Sequence, residues 1–262
     1  MIGNGESSAA SRARELILRS KAATTGGGCI AQRYTQHHSA RWDYLLAACI
    51  RWVPRRDSAV LDVGRSKFSS MLAMYYTDLA TMGFAREVDD DAQTQLSTAA
   101  GRVVEHIIFD LNRSQDPTCW PKTRKFDLIV CAEVLEHLFC APELVFLFFR
   151  SILAVDGTFI VQTPNAVALR KRIKMILGIH PFERIRCYDR NPGHHREYTR
   201  AELIDIGELC GFALVSHSFV DYFGCDGSPA KRAAGRLWKL IGLALPSCRE
   251  GQTAVYCLGP KP

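Results

Sequence analysis

The sequence predicts an α/β domain, a mostly parallel sheet with helices on both faces. From Ala59 onward, short apolar runs alternate with helical segments, the order of a parallel sheet covered on both sides. The stretch Ala59–Met71, AVLDVGRSKFSSM, reads as a strand that ends at Gly64 and turns sharply into a helix starting at Ser66 or Ser69. A chain of 262 residues, 47% hydrophobic and 23% charged, suits one well-cored domain with additions better than two complete domains.

Residues 1–28 are expected to form an arm, with a helix over Ala9–Ala22 that Gly26-Gly27-Gly28 breaks. The main domain then occupies 29–262, with inserts at about 166–194 and 221–251. In Arg33–Pro54, Trp42, Leu45, Leu46, Cys49 and Ile50 recur at helical spacing, which predicts a packed helix before the first strand. The expected strands are Ala59–Val63, Leu79–Gly83, Val104–Phe109, Phe126–Cys131, Thr158–Thr163, Phe212–Val220 and Thr253–Gly259. Ala141–Ala154 reads as a mostly buried helix with Pro142 in its first turn, and Asp156-Gly157 reads as the turn into the fifth strand. Ala201–Gly211 predicts another helix. Two basic amphipathic segments, Ala166–Leu177 and Ala230–Ala244, pack on the domain or lie on a membrane surface; in the first, Leu169, Ile173 and Leu177 form the apolar side.

Composition narrows the partners. Thirty-three Lys and Arg against 27 Asp and Glu give a formal charge of +6, which permits anionic partners without demanding them. No stretch interleaves basic residues with exposed aromatics, so nucleic acid is disfavoured as a substrate. Ten cysteines without a C-x-x-C pair argue against a zinc cluster, and no metal site is expected. The N-terminus lacks the apolar core of a signal peptide, so the expected location is the cytoplasm, with peripheral contact at the inner membrane face as an option.

Five polar features fall at or beyond the carboxyl ends of the expected strands, where ligands of open α/β sheets bind. They are Asp62 with Gly64, Asp110 after Ile107–Phe109, Glu133 with Glu136-His137 on the following helix, Thr163-Pro164-Asn165, and the cluster GHHREYT with His194, His195, Arg196 and Tyr198. In this order, from Tyr34 to Gly259, they resemble the class I S-adenosylmethionine-dependent methyltransferases. The runs FDLIVCAEVLEHL and VDGTFIVQTPN, followed by H-x-R-x-Y-T, resemble the small-molecule and glycan-modifying branch.

The resemblance implies a Rossmann-like seven-stranded sheet with its last strand antiparallel and S-adenosylmethionine lying across the ends of strands one to four. Asp62, Gly64 and Ser66 would then meet the methionine part, Asp110 the adenine amino group with Leu111 flanking the ring, and Cys131 to Glu133 the methionine side. Each has a plain alternative: Asp62 as a turn former, Asp110 as a helix cap, Glu133 as a solvated carboxylate. Two departures stand out. Ser66 and Phe68 occupy positions where the family places glycines, and no carboxylate falls near Gly83, where the ribose-binding acid belongs, although Asp89, Asp90 and Asp91 follow. Methyl transfer needs one base near neutral pH, for which His137 and His194 are the candidates; each has a packing alternative. The acceptor is expected to be a small molecule or glycan, methylated on oxygen rather than nitrogen. The competing reading is a methyltransferase-like binding or scaffold protein without turnover. A nicotinamide-dependent dehydrogenase is disfavoured because G-x-G-x-x-G is absent from the first turn.

Overall fold

The computed structural model describes residues 29–85, 96–186, 193–221 and 240–258. Its elements in chain order are α1 (Cys29–Trp52), β1 (Ala59–Val63), α2 (Lys67–Tyr75), β2 (Asp78–Gly83), β3 (Glu105–Ile108), β4 (Phe126–Ala132), α3 (Pro142–Ile152), β5 (Leu153–Pro164), α4 (Leu169–Ile176), α5 (Arg200–Leu209), β6 (Phe212–Val220) and β7 (Gly251–Leu258). Single 3-10 turns lie at Leu111–Arg113, Pro117–Cys119, Leu135–His137 and Pro246–Cys248. The seven strands form one sheet in the order β3-β2-β1-β4-β5-β7-β6. Pairings from β3 across to β5 are parallel, and β7 runs antiparallel to both of its neighbours, β5 and β6. This is the mixed seven-stranded sheet expected.

Alternation along the strands builds two cores, because successive side chains point to opposite faces. Val60, Leu128, Val130, Ile160 and Val255 face one side, where Leu45, Leu46, Cys49 and Ile50 of α1 and Leu72 of α2 cover them. Leu61, Ile129, Cys131, Phe159, Val161 and Tyr256 face the other, under Phe146 and Phe149 of α3 and Leu203 and Ile206 of α5. Cys49, Cys131 and Cys210 are buried free thiols that pack as small hydrophobes. Among the described residues no helix is long and apolar enough to cross a membrane.

Three local expectations are corrected. β5 begins at Leu153 rather than Thr158, so Asp156-Gly157 lies inside a strand: Leu153 pairs with Phe126, and a register shift between Phe126 and Leu128 absorbs the extra residues. Glu136 and His137 occupy a 3-10 turn, not a helix. In α4 the buried side chain is Lys171, while Ile173 and Leu177 are exposed. The arm over 1–28, Asp89–Asp91 and most of the 221–251 insert lie outside the described residues.

One glycine is fixed by close approach. A Cβ on Gly207 of α5 would sit 2.7 Å from Tyr256 Cε1, and the Tyr256 ring is itself fully buried, with its hydroxyl donating to the Leu203 carbonyl at 2.8 Å. Gly to Ala in a helix ordinarily stabilises by about 0.5–1 kcal/mol. Here overpacking reverses the sign, and Gly207→Ala should lower the urea-unfolding free energy by about 1–2 kcal/mol.

Candidate active site

The turn after β1 is tied down from within. Gly64 takes φ +83° and donates its N–H to the Met82 carbonyl at 2.8 Å, linking the turn to β2. A Cβ there would meet Val134 Cγ2 at 3.3 Å, so positive φ and close approach both favour glycine. Ser66 is the N-cap of α2: its hydroxyl accepts from Phe68 N, and its N–H donates to Ser69 Oγ. Ser69 Oγ in turn donates to the buried Asp62 carboxylate at 2.6 Å. Asp62 and Ser66 therefore fix the shape of the turn, the work that the family's glycines would do by conformational freedom.

Asp110 caps the turn Leu111–Arg113, its Oδ1 accepting from both Asn112 N and Asn112 Nδ2. Leu111 is buried beside it. Cys131 lies in the hydrophobic core, where burial pushes its thiol well up, so it packs the sheet and does not line a polar wall. β2 ends at Gly83 with Phe84 and Ala85 after it, and no carboxylate stands at that end among the described residues.

Glu133, at the end of β4, is the one described non-glycine residue with positive φ, 55°. Its N–H donates to the Gln162 carbonyl at 2.8 Å, which holds the kink against β5. Such strain persists only where surrounding contacts enforce it, and it concentrates at functional sites. Arg41, on α1, approaches Glu133 at 3.6 Å; it is 7% exposed, and its Nε and Nη1 have no hydrogen-bond partner among the described residues. Burial raises the Glu133 carboxyl, and Arg41 opposes that rise. Arg41 is not evident as a site residue from sequence alone. Its signal was a charge on the buried stripe of α1, four residues before Leu45 and eight before Cys49.

Glu136 stands among the strand-end features of the sequence without an assigned role. It is fully buried, its Oε2 accepts from Thr163 Oγ1 at 3.0 Å, and its carbonyl accepts from His195 N at 2.7 Å. Its Oε1 has no hydrogen-bond partner among the described residues. Burial, then the charge of Glu133, raises its carboxyl well above the ordinary value.

His137 and His194 come together as the sequence predicts, with ring centroids 4.9 Å apart and nearly perpendicular planes. His137 Nδ1 lies 2.9 Å from the Gly193 carbonyl and His194 Nδ1 lies 2.9 Å from Glu197 Oε1. Both partners are acceptors, so each Nδ1 carries a proton, and in the neutral imidazole the lone pair lies on Nε2. Burial depresses the His137 imidazole, and the Gly193 carbonyl opposes that fall. Glu197 is buried against Lys171, whose Nζ also donates to the Asn165 carbonyl at 2.8 Å. His194, Glu197, Arg184, Arg196, His180 and Phe182 contribute to the wall of a cavity of about 750 Å³.

The strap carrying these groups, residues 193–199, is anchored where it enters α5. Asn165 bridges to Tyr198 and donates to the Ser247 and Arg249 carbonyls. Thr199 caps α5 in a reciprocal box with Glu202, which also pairs with Arg196. Partial burial raises the Glu202 carboxyl, but the bonds from Thr199 and Arg196 outweigh it and hold the group below its ordinary 4.5. A depressed folded value gives stability that is present above the unfolded pKa and lost as pH falls through the folded one. Glu202→Ala should therefore lower stability by about 1 kcal/mol at pH 7, with the difference from wild type closing in urea titrations at progressively lower pH.

A family model described as a methyltransferase domain matches residues 34–217. Among solved structures, an S-adenosylmethionine-dependent methyltransferase from Clostridium acetobutylicum superposes with a TM-score of 0.58 at 14% identity, over 88% of this chain and 98% of that one. Magnesium protoporphyrin IX methyltransferase from Synechocystis, with bound S-adenosylhomocysteine, gives 0.55 at 14% identity over 93% and 94%. An N-methyltransferase from Bradyrhizobium japonicum, also in complex with S-adenosylhomocysteine, gives 0.52 at 16% over 84% and 86%. No curated protein sequence matches the chain.

Proposed function

Because the chain belongs to the methyltransferase-domain family and is a class I S-adenosylmethionine-dependent methyltransferase, we propose that its acceptor is an oxygen of a small molecule or glycan. The observation that carries this reading is the pair His137 and His194, whose Nε2 lone pairs are fixed by the partners on Nδ1, with His194 in the wall of the cavity.

The residues at the strand ends fit the donor. Arg41, buried and without hydrogen bonds to its Nε and Nη1 among the described residues, suits its carboxylate, and Glu133 suits its ammonium group. Asp110 Oδ2 is the oxygen left for the adenine amino group once Oδ1 caps the turn, and Leu111 offers an apolar surface to the ring. The donor supplies an activated methyl on a sulfonium centre. What remains for the protein is alignment and removal of one proton. The donor would give its methyl to the acceptor oxygen with the carbon–sulfur electron pair leaving on sulfur, and the hydroxyl proton would pass to an imidazole Nε2. The cavity volume suits a ligand of small-molecule or oligosaccharide size, and its arginines and histidines suit hydroxyl-rich or anionic acceptors.

The test is calorimetric titration with S-adenosylmethionine and S-adenosylhomocysteine, followed by transfer of labelled methyl across a panel of hydroxyl-bearing and amine-bearing acceptors. Saturable binding with label on oxygen supports the proposal. Label on nitrogen overturns the acceptor assignment, and binding without any transfer favours a scaffold role.

A second reading places the acceptor on a lipid. Met175, Ile176, Leu177 and Ile179 are 63%, 83%, 67% and 53% exposed at the end of α4, next to Arg170, Arg172 and Lys174. An apolar ridge flanked by cations fits an anionic bilayer surface. Co-sedimentation with phosphatidylglycerol vesicles that Ile176→Glu abolishes would favour it; no co-sedimentation of the wild type would remove it.

A further inference from the structure

We propose that Glu136, His137 and His194 form a binding site for one divalent cation of the first transition row, Zn²⁺ or Mn²⁺ being the reference cases. One ligand atom from each residue lies within 4.8 Å of the other two, a spacing that bonds of about 2.1 Å would draw in. Adjacent Glu136 and His137 come from the turn after β4, and His194 arrives from the strap before α5.

The independent observation is Glu136 Oε1. It belongs to a fully buried carboxylate and has no hydrogen-bond partner among the described residues, and that carboxylate brings an oxygen within 4.8 Å of ring nitrogens of both imidazoles. A buried oxygen without a partner is costly. A cation supplies the missing interaction. The surroundings match a metal site's outer layer as well. Ligating histidines usually present one nitrogen to the metal and donate the other N–H to a carboxylate or backbone carbonyl. His194 donates to Glu197 and His137 to the Gly193 carbonyl, and Glu197 is itself held by Lys171. Thr163 donates to the second oxygen of Glu136, which leaves Oε1 for the ion.

Two imidazole nitrogens and one carboxylate oxygen form a borderline donor set, suited to Zn²⁺, Mn²⁺ or Fe²⁺, whereas Ca²⁺ and Mg²⁺ favour all-oxygen shells. Three protein ligands leave coordination positions open. His194 lines the cavity, so an acceptor hydroxyl can take one of them. The cation then lowers the hydroxyl pKa, the proton passes to cavity water, and the alkoxide attacks the methyl. In that case the two imidazoles act as ligands rather than as the base. This catalytic use rests on the methyltransferase reading; cation binding does not.

The experiment is titration of the chelator-stripped full chain with Zn²⁺ and Mn²⁺ by calorimetry, with Co²⁺ absorption as a spectroscopic probe. One ion per chain is expected, with a d–d spectrum showing nitrogen ligation. His194→Asn and Glu136→Gln should each weaken binding at least 100-fold. Glu197→Gln, which only positions His194, should weaken it 10–100-fold. Glu136→Gln keeps an acceptor for Thr163, and circular dichroism confirms which variants fold; His194→Asn, at a half-buried position, decides the matter should the buried variant fail to fold. No saturable binding, or wild-type affinity in His194→Asn, overturns the proposal. Because these readouts use no methyl donor, cation binding without S-adenosylmethionine binding would sink the functional reading alone, and the reverse would sink the cation site alone.

Discussion

Lys171→Met is expected to destabilise the fold by about 3–5 kcal/mol. Lys171 and Glu197 are 7% and 6% exposed at their side chains and pair directly, while Lys171 also donates to the Asn165 carbonyl. Methionine fills the volume and removes the charge, leaving a carboxylate inside the protein with His194 as its remaining hydrogen-bond partner among the described residues. The large cost comes from the stranded charge, not from the lost bond. Hence Lys171→Met with Glu197→Gln should recover more than half of the loss, since removing both charges avoids the uncompensated desolvation. Urea titrations of the two single variants, the double variant and the wild type form the cycle that measures this. Equal losses in Lys171→Met and in the double variant would show that the pair is held open to water and contributes little.

The same pair marks the limit of what periodicity reveals. The strands were legible because apolar residues alternate with the pleat, and β1 and β6 fall at their expected bounds. The start of β5 was hidden because Asp156-Gly157 has turn chemistry, and only its pairing with β4 overrides that. In α4 the spacing of Leu169, Ile173 and Leu177 pointed to an apolar buried face, yet the helix docks through Lys171 because a carboxylate from a distant strap waits beneath it. Pattern reading assigns burial by hydrophobicity, so it misses every position where burial is earned by a partner elsewhere in the chain. His137 and His194 were found because imidazoles are few and chemically distinctive. Arg41 was overlooked, and Glu136 was named without a role, because an arginine on a helix and a glutamate after a strand are ordinary until the fold buries them. Cys131 shows the converse: a position at the right strand end whose side chain points into the core.

Arg41→Met should weaken S-adenosylhomocysteine binding by about 10–100-fold, because a charged hydrogen bond in a site of this kind contributes about 1.5–3 kcal/mol. The substitution keeps an apolar stem and removes the guanidinium. Its effect on stability should be much smaller than that of Lys171→Met, although both remove a buried cation. Arg41 and Glu133 are 3.6 Å apart, and two of the guanidinium nitrogens lack hydrogen-bond partners among the described residues, which leaves the charge incompletely compensated by them. When the cation is lost, burial already favours protonation of Glu133, and the carboxyl takes a proton instead of remaining as a stranded anion. Binding and stability are thereby separated at one position. Calorimetry with S-adenosylhomocysteine and urea unfolding of the same preparation read the two quantities independently. Unchanged affinity would remove Arg41 from the donor site and leave its buried nitrogens to another anion. A stability loss as large as that of Lys171→Met would mean that Glu133 remains charged, in which case the positive-φ kink at the end of β4 is held by the ion pair itself.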